Sequence, residues 1–346
     1  MSQPLLPAAS FADLASRLAQ LPAFDEAHAA MARERQSALT KPPGSLGRLE
    51  DIAVFAAGWQ ARTVPTAERT QALVFAGNHG VCAQAVNVYP QSVTAQMVEN
   101  FRSGGAAINQ LAGLCGARLD IVALDLDRPT GDISVVDAMD EAETLAALAQ
   151  GYAAVDTEAH VLVLGEMGIG NTTIAAALAA ALFGGRSEDW VGPGTGANAE
   201  GIALKTRVVD RARARIAGET SPLRILAAVG GREQAALCGA ILAARSARIT
   251  VVLDGFICTA AAAVLGRLGS ELSPPVDLLA HCLAGHVGAE PGHRPLLARL
   301  GKVPLLDLGM RLGEGSGAAV ALLVVKAALA AHAGMATFAE AGVSDR

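Results

Sequence analysis

The sequence predicts an α/β fold in which a parallel sheet is covered by helices and a smaller helical domain combines both ends of the chain. Three observations predict it. Short β-rich runs alternate with helical stretches, and each run ends in a glycine turn or a polar loop. The third is composition: 52% of the 346 residues are hydrophobic but only 3% are aromatic, which suits helices packed closely on a sheet.

Helices are predicted for most of the first 62 residues. Ser10 can cap a helix that runs through Leu18, and 24–37 is rich in Ala, Glu, Arg and Met. A turn of glycine and proline over 41–47 interrupts them. We assign 1–62 to the small domain.

The alternating pattern begins at Thr70. The predicted strands are 72–76, 119–123, 160–164 and 249–253, and alanine-rich helices are predicted at 141–150, 172–182 and 236–247. We assign 63–316 to the α/β domain. The segment 317–346 is helical and apolar on more than one side, so we expect it to pack with the small domain or with a dimer partner.

Composition also argues against several classes of protein. A net charge of -6 offers no basic surface for nucleic acid. The five widely spaced cysteines include no CxxC pair, so neither a disulfide framework nor a zinc knuckle is indicated. A reducing cytoplasm fits this use of cysteine.

Residues 1–21 lack the pattern of a signal peptide. The apolar stretches 249–265 and 318–333 contain charged or titratable residues, so we interpret them as buried elements and expect no membrane partner. Neither GxxxxGK[ST] nor GxSxG is present.

The segment GEMGIGNTT follows a predicted strand and precedes a predicted helix, which is typical of an anion site. Its glycines would allow close approach of a phosphate, the Asn and Thr would donate hydrogen bonds, and the Glu would contact a sugar hydroxyl or act in catalysis. An ordinary turn capped by Asn and Thr is the alternative. The candidates are Glu166, Gly168, Gly170, Asn171 and Thr172.

A second glycine-rich loop, GPGTGAN at 192–198, carries Gly194 and Gly196. Lys205 follows at a distance that could bring its ammonium group back to this loop as a counter-charge to phosphate. The alternative is a solvated surface lysine.

One carboxylate, Glu314, stands among three glycines in MRLGEGSG, directly before a predicted helix. A carboxylate held on such a turn could accept a proton from a nucleophile, and partial burial would raise its pKa toward neutrality. The alternative is a glutamate that complements a helix dipole. Asp254, which ends a predicted strand, is either a site carboxylate or a turn former.

A metal site is not expected. His286, Glu290 and His293 have a spacing that imitates metal ligands, but the intervening glycines and proline would break the helix needed to align them. We interpret these three as structural loop residues.

Together these segments resemble the nicotinate-nucleotide:dimethylbenzimidazole phosphoribosyltransferase family, which makes the lower nucleotide loop of cobalamin. Two segments, KPPGSLGRLE at 41–50 and RLGEGSGA at 311–318, are long and specific. The others occur in the family's order: 78–81, 93–95, 104–107, 165–173 and 253–256.

The resemblance implies a doubly wound, mainly parallel sheet with helices on both faces, plus a small helical domain from separated chain segments, in a cytoplasmic homodimer. The implied reaction moves phosphoribose from nicotinate mononucleotide to 5,6-dimethylbenzimidazole and gives α-ribazole 5′-phosphate and nicotinate. The cationic pyridinium departs without protonation and there is no pyrophosphate leaving group, so no metal and no cofactor are expected.

The resemblance also implies roles for residues. Glu314 matches the family's proposed general base, and Glu166 resembles a second carboxylate near the ribose and the acceptor. The implied set for phosphate and nucleotide is Gly168, Gly170, Asn171, Thr172, Gly194, Gly196, Lys205, Arg311 and Gly313. The implied acceptor set is Tyr89, Gln96, Met97, Met167 and Leu312.

Two departures from the family concern the acceptor. Tyr89 and Met97, with Gln96 adjacent, stand where familiar members carry a serine and a glutamine, and Gly285 and Gly288 replace serines. Another benzimidazole, a purine or a phenolic acceptor therefore stays open.

Two rival functions also stay open. A transferase that uses phosphoribosyl pyrophosphate would need Mg²⁺ and a pair of acids where Glu166 stands alone, and a noncatalytic nucleotide-binding homologue would keep the fold without turnover.

Overall fold

The computed structural model describes residues 5–344 and confirms the predicted fold class. The strands are β1 Thr70–Ala76, β2 Arg118–Ala123, β3 Val161–Met167, β4 Thr250–Leu253 and β5 Cys282–Ala284. They form one parallel sheet in the order β2-β1-β3-β4-β5. Residues 1–4 and 345–346 of the two predicted terminal segments lie outside the described residues.

Helices make up most of the rest of the described chain. They are α1 Phe11–Arg17, α2 Glu26–Ala38, α3 Arg48–Gln60, α4 Val93–Arg102, α5 Ala107–Cys115, α6 Glu141–Ala153, α7 Asn171–Phe183, α8 Ala199–Arg215, α9 Pro222–Val229, α10 Arg232–Ser246, α11 Phe256–Glu271, α12 His293–Arg299, α13 Ser316–Gly334 and α14 Phe338–Ala341. Short 3-10 turns occur at Leu18–Gln20, Gly80–Gln84 and Ser187–Asp189. The predicted cap at Ser10 is confirmed, because its hydroxyl accepts a hydrogen bond from the Asp13 N–H at 3.1 Å.

Helices cover both faces of the sheet because alternate strand residues point to opposite sides. In β3, Leu162 and Leu164 join a core with α6, α7, α10 and α11. Val161 and Val163 face the other way and join a second core with α3, α5 and α13. The continuous burial of β1 and β3 explains why their sequences show apolar runs rather than alternation.

The helix α13 packs against α3, α5 and the strands β3 and β4. Of the described helices, it alone is long and apolar enough to cross a membrane by length and composition, but half of that stretch is buried inside the protein. The predicted helical segment 317–346 is interrupted after Gly334, where the Ala336 carbonyl accepts a hydrogen bond from the Thr40 N–H at 3.0 Å. The two ends of the chain therefore meet at this break. The predicted domain boundaries at 62/63 and 316/317 stay a prediction.

All five cysteines are free thiols, and four of them are buried. Burial raises the pKa of the half-buried Cys82 to about 11 and that of Cys282 to about 12. These thiols are therefore weak nucleophiles at neutral pH.

Candidate active site

A cleft opens at the carboxyl ends of β3, β4 and β5, the edge at which parallel α/β sheets bind ligands. It encloses about 660 Å³, including the part open to solvent. Ten of the predicted site residues line it: Glu166, Met167, Gly168, Asn171, Thr172, Gly194, Arg311, Leu312, Gly313 and Glu314. The structure thus brings together residues from three separate segments of the chain.

The loop after β3 presents the start of α7 to the cleft. Gly170, at φ +92°, is the N-cap residue, and this left-handed backbone favours glycine. The hydroxyl of Thr94, in α4, accepts a hydrogen bond from the Ile169 N–H at 3.1 Å, and the Asn171 amide donates to Glu166. The loop is therefore fixed from both sides, with the positive end of a helix dipole at the cleft.

The turn that carries Glu314 lies directly on β3. A Cβ at Gly165 would come within 2.5 Å of the Gly315 nitrogen and 2.6 Å of the Glu314 carbonyl carbon. Only a glycine at 165 lets these two backbones approach so closely. Glu314 itself has φ +64°, which is unusual for a non-glycine residue.

The carboxylates of Glu166 and Glu314 come to the cleft from the two sides of this contact. A Cβ at Gly313 would lie 2.5 Å from Glu166 Oε1, so this oxygen faces the turn next to Glu314. Both side chains are more than nine-tenths buried, and Glu314 Oε2 has no hydrogen-bond partner among the described residues. Its unused lone pairs leave this carboxylate free to accept a proton.

Both carboxyl groups hold their protons more tightly than an exposed glutamate. Burial raises the pKa of Glu166 to about 8, the negative charges of Asp254, Glu233 and Glu314 add to that rise, and the hydrogen bond from Asn171 opposes it. Burial and then Asp254 raise the pKa of Glu314 to about 7. A group that titrates near neutrality is suited to proton transfer.

Asp254 holds the turn that carries Glu314 through hydrogen bonds. Its carboxylate accepts hydrogen bonds from the N–H groups of Gly315 and Ala318, and His286 Nε2 lies 3.3 Å from Oδ1. From the sequence, Asp254 was either a site carboxylate or a turn former. In the structure it is a buried side-chain cap for α13. Its negative charge also raises the pKa of Glu166 and of Glu314.

A second hollow adjoins the cleft and is lined by Gly170 and Lys205. Lys205 is only 4% exposed, and its ammonium group donates to Thr172 Oγ1 at 3.2 Å and to the Gly192 carbonyl at 3.3 Å. Burial lowers the pKa of Lys205. The structure thus places the buried ammonium at the start of α7, and not on the surface.

Four predicted residues are not among those that line either hollow. Gly196 has φ +122° and stands between Thr195 and Ala197, which do line the second one. Tyr89 is half-exposed, Gln96 is exposed, and Met97 packs on the core around α5 and α13. The acceptor roles of these three stay predictions, whereas Met167 and Leu312 lie in the cleft wall.

Several residues at the site carry no functional signal in the sequence. His286 and Glu290 line the cleft. His293 does not; its Nδ1 accepts a hydrogen bond from the Gly288 N–H at 2.7 Å, and burial lowers its pKa to about 3. In residues 5–344, no group of three or more His, Cys, Asp or Glu side chains is arranged to hold a metal ion.

A fully buried pair lies behind the loop after β3. His79 Nε2 is 3.1 Å from Glu233 Oε1, and a Cβ at Gly168 would come within 2.9 Å of that nitrogen. His79 belongs to 78–81, one of the segments that carry the family resemblance. Glu233 gave no signal, because a glutamate in the first turn of a helix is commonplace.

Comparisons with known proteins agree with the resemblance. A family model described as phosphoribosyltransferase matches residues 21–343. The chain is 56% identical over 335 residues to the nicotinate-nucleotide–dimethylbenzimidazole phosphoribosyltransferase of Rhodobacter capsulatus, covering 97% of this chain and 98% of that protein. It is 54% identical over 342 residues to the protein of the same name from Mesorhizobium japonicum, covering 99% and 100%. Among solved structures, CobT from Thermus thermophilus has a TM-score of 0.85 at 41% identity, covering 92% of this chain and 100% of that one.

Proposed function

The chain belongs to the nicotinate-nucleotide:dimethylbenzimidazole phosphoribosyltransferase family, and on that premise we propose that it transfers phosphoribose from nicotinate mononucleotide to 5,6-dimethylbenzimidazole. The products are α-ribazole 5′-phosphate, nicotinate and one proton. The activity belongs to the synthesis of the lower nucleotide loop of cobalamin.

In the proposed reaction, a bond forms between the acceptor's imidazole nitrogen and the anomeric carbon of the ribose. The bond from that carbon to the pyridinium nitrogen breaks, and its electron pair leaves with nicotinate. Because the leaving nitrogen is already cationic in the donor, its departure needs no general acid. The remaining task is to remove the proton from the other imidazole nitrogen of the acceptor.

Glu314 is the proposed general base. The observation that carries this assignment is the buried carboxylate of Glu314 in the cleft, whose Oε2 has no hydrogen-bond partner among the described residues. Its pKa is raised to about 7. At neutral pH a large share of Glu314 is therefore ionised, yet the carboxylate is basic enough to take the proton.

The donor's phosphate is proposed to lie between the start of α7 and Lys205. The helix N-terminus, the Lys205 ammonium group and the glycine-rich loop at 192–198 supply positive charge and N–H donors there. Arg311 supports this end of the cleft by donating a hydrogen bond to the Gly194 carbonyl at 3.1 Å.

Glu166 is proposed to contact the ribose or the acceptor from beside the base. With a pKa of about 8 it carries a proton at neutral pH, and the Asn171 amide donates to its Oε2. The proton then belongs on Oε1, which faces the turn at Gly313. A protonated Glu166 can donate a hydrogen bond to a ribose oxygen while Glu314 remains the acceptor of protons.

The test is turnover without metal. The purified protein is incubated with nicotinate mononucleotide, 5,6-dimethylbenzimidazole and EDTA, and released nicotinate and the new nucleotide are followed by chromatography. We expect both products in equal amounts. Turnover only with another benzimidazole, a purine or a phenol would replace the acceptor, and donor binding without turnover with any of them would point to a noncatalytic homologue.

We also propose a homodimer in the cytoplasm. The family resemblance supports the dimer, and five free thiols with no disulfide support a reducing compartment. Light scattering coupled to size-exclusion chromatography measures the oligomeric state directly.

A further inference from the structure

Glu290 lies in the wall of the cleft, against the glycine-rich loop of the proposed phosphate subsite. Its Oε1 accepts a hydrogen bond from the Gly194 N–H at 2.9 Å. Its Oε2 has no hydrogen-bond partner among the described residues and lies against Gly192, where an added Cβ would clash with it. The residue is 8% exposed, so its carboxyl group is largely withdrawn from water at the wall of the cleft.

The groups around Glu290 are cationic or N–H donors. Lys205, from α8, binds the Gly192 carbonyl, and Arg311, from the segment before α13, binds the Gly194 carbonyl. Burial raises the pKa of Glu290, while Lys205, the Gly194 N–H and Arg311 oppose the rise. Glu290 in turn raises the pKa of Lys205 against the effect of burial.

A substrate phosphate needs these same partners. The Gly194 N–H is taken by Glu290, and the charge of Lys205 is partly neutralised by it. A phosphate dianion beside an ionised and buried carboxylate would meet strong repulsion, because a low dielectric weakens the screening between the two charges. Phosphate and ionised Glu290 therefore compete for one subsite.

We propose that Glu290 is a positioning residue that acts as an internal anion: it holds the phosphate subsite while the cleft is empty and takes up a proton from solvent when a phosphate monoester binds. This inference rests on the proposed function for its phosphate subsite. One proton moves to the Glu290 carboxylate as the dianion enters, and it returns to solvent as the dianion leaves. The subsite thus stays ordered when it is empty, and the phosphate of the product is held less tightly than Lys205 alone would hold it.

Sulfate is the probe for this proton uptake, because it remains a dianion across the pH range in which phosphate titrates. Calorimetric titration of the full-length protein with sulfate, in two buffers of different ionisation enthalpy, counts the protons taken up. At about pH 8 we expect the unaltered protein to take up close to one proton more per sulfate than Glu290→Gln does, and the uptake that remains in the variant belongs to Glu166 and Glu314. The variant should bind sulfate about tenfold more tightly at that pH, with an affinity that varies less with pH than that of the unaltered protein.

Two controls make the result specific. Asp307→Asn removes a charge of the same sign from an exposed ion pair with Arg294 and should leave both quantities unchanged. Glu290→Asp keeps the charge and should keep the proton uptake, which covers the case in which the glutamine variant does not fold. Weaker sulfate binding by Glu290→Gln with unchanged proton uptake, or no sulfate binding to the unaltered protein, overturns the proposal. The turnover assay judges the enzymatic function separately.

Discussion

The carboxylate of Asp254, at the end of β4, accepts a hydrogen bond from the Ala318 N–H in the first turn of α13 at 2.9 Å. Its second oxygen accepts from the Gly315 N–H at 3.1 Å. The first N–H groups of a helix have no partner within the helix, so a side chain from the sheet completes this one. The same contact fixes the turn that presents Glu314 to the cleft.

Replacing Asp254 by asparagine removes the charge but keeps the size of the side chain. Because the charge of Asp254 raises the pKa of Glu314, we expect the acidic limb of the kcat–pH profile to move below its position near pH 7. We also expect a lower maximal rate, since one of the two accepted hydrogen bonds is lost. Steady-state kinetics from about pH 5 to 9 measures both effects. A lower rate with an unmoved limb would reduce Asp254 to a structural cap.

Glu314→Gln tests the general base. Glutamine keeps the shape of the side chain but cannot accept the proton, so kcat should fall by about 10² to 10⁴. The Kd for nicotinate mononucleotide should stay unchanged, because Glu314 is not among the groups proposed to hold the phosphate. Single-turnover kinetics and calorimetry separate these two quantities. Retention of full turnover would remove Glu314 from the base role.

Glu166→Gln should change the pH dependence of stability. The pKa of Glu166 is raised from 4.5 to about 8 by folding, so its stabilising contribution is present below pH 4.5 and is lost as pH rises through 8. The variant should therefore gain stability relative to the unaltered protein as pH rises, by on the order of a few kcal/mol. Urea unfolding at about pH 5, 7 and 9 measures this difference. A constant difference across that range would contradict the raised pKa.

Gly165→Ala tests the backbone contact beneath Glu314. The new methyl group would meet the backbone of 314–315 within 2.6 Å, so the turn must move, at a cost of about 1 to 3 kcal/mol. We expect kcat to fall more than the loss of stability explains, because the displaced turn carries the base. Gly113→Ala, in α5, meets nothing within 4 Å and should be neutral or slightly stabilising. Equal effects of the two substitutions would show that the contact does not matter.

The four longer strands could be predicted because each is an apolar run followed by a turn signal, whereas β5 has only three residues, too few for a periodic pattern. The glycine motifs at 165–173 and 311–318 could be found because their function depends on local backbone. The hydrogen-bond partners of Asp254 and Glu290 could not be predicted, because these hydrogen bonds join residues that are 61 to 96 positions apart in the sequence. Such pairs depend on how the strands are ordered in the sheet, which the residue pattern alone does not state.

The acceptor residues that the resemblance implies differ in where the structure places them. Tyr89 was selected by its place in a family motif, yet its side chain is half-exposed and outside the lining of the cleft. Leu312 was selected in the same way and does line the cleft, because the turn on β3 carries it there. The acceptor role of Tyr89 therefore stays a prediction, whereas the location of Leu312 in the cleft is confirmed.

The burial of the thiols makes the protein a convenient subject for spectroscopy. Maleimide dyes react with thiolates, and the native cysteines, four of them buried and Cys82 half-buried, hold their protons firmly. A cysteine introduced at Leu312, which is 55% exposed on the rim of the cleft, would be labelled in preference to all five. A single fluorophore there could follow the arrival of substrates in real time, on a chain that needs no prior removal of its own cysteines.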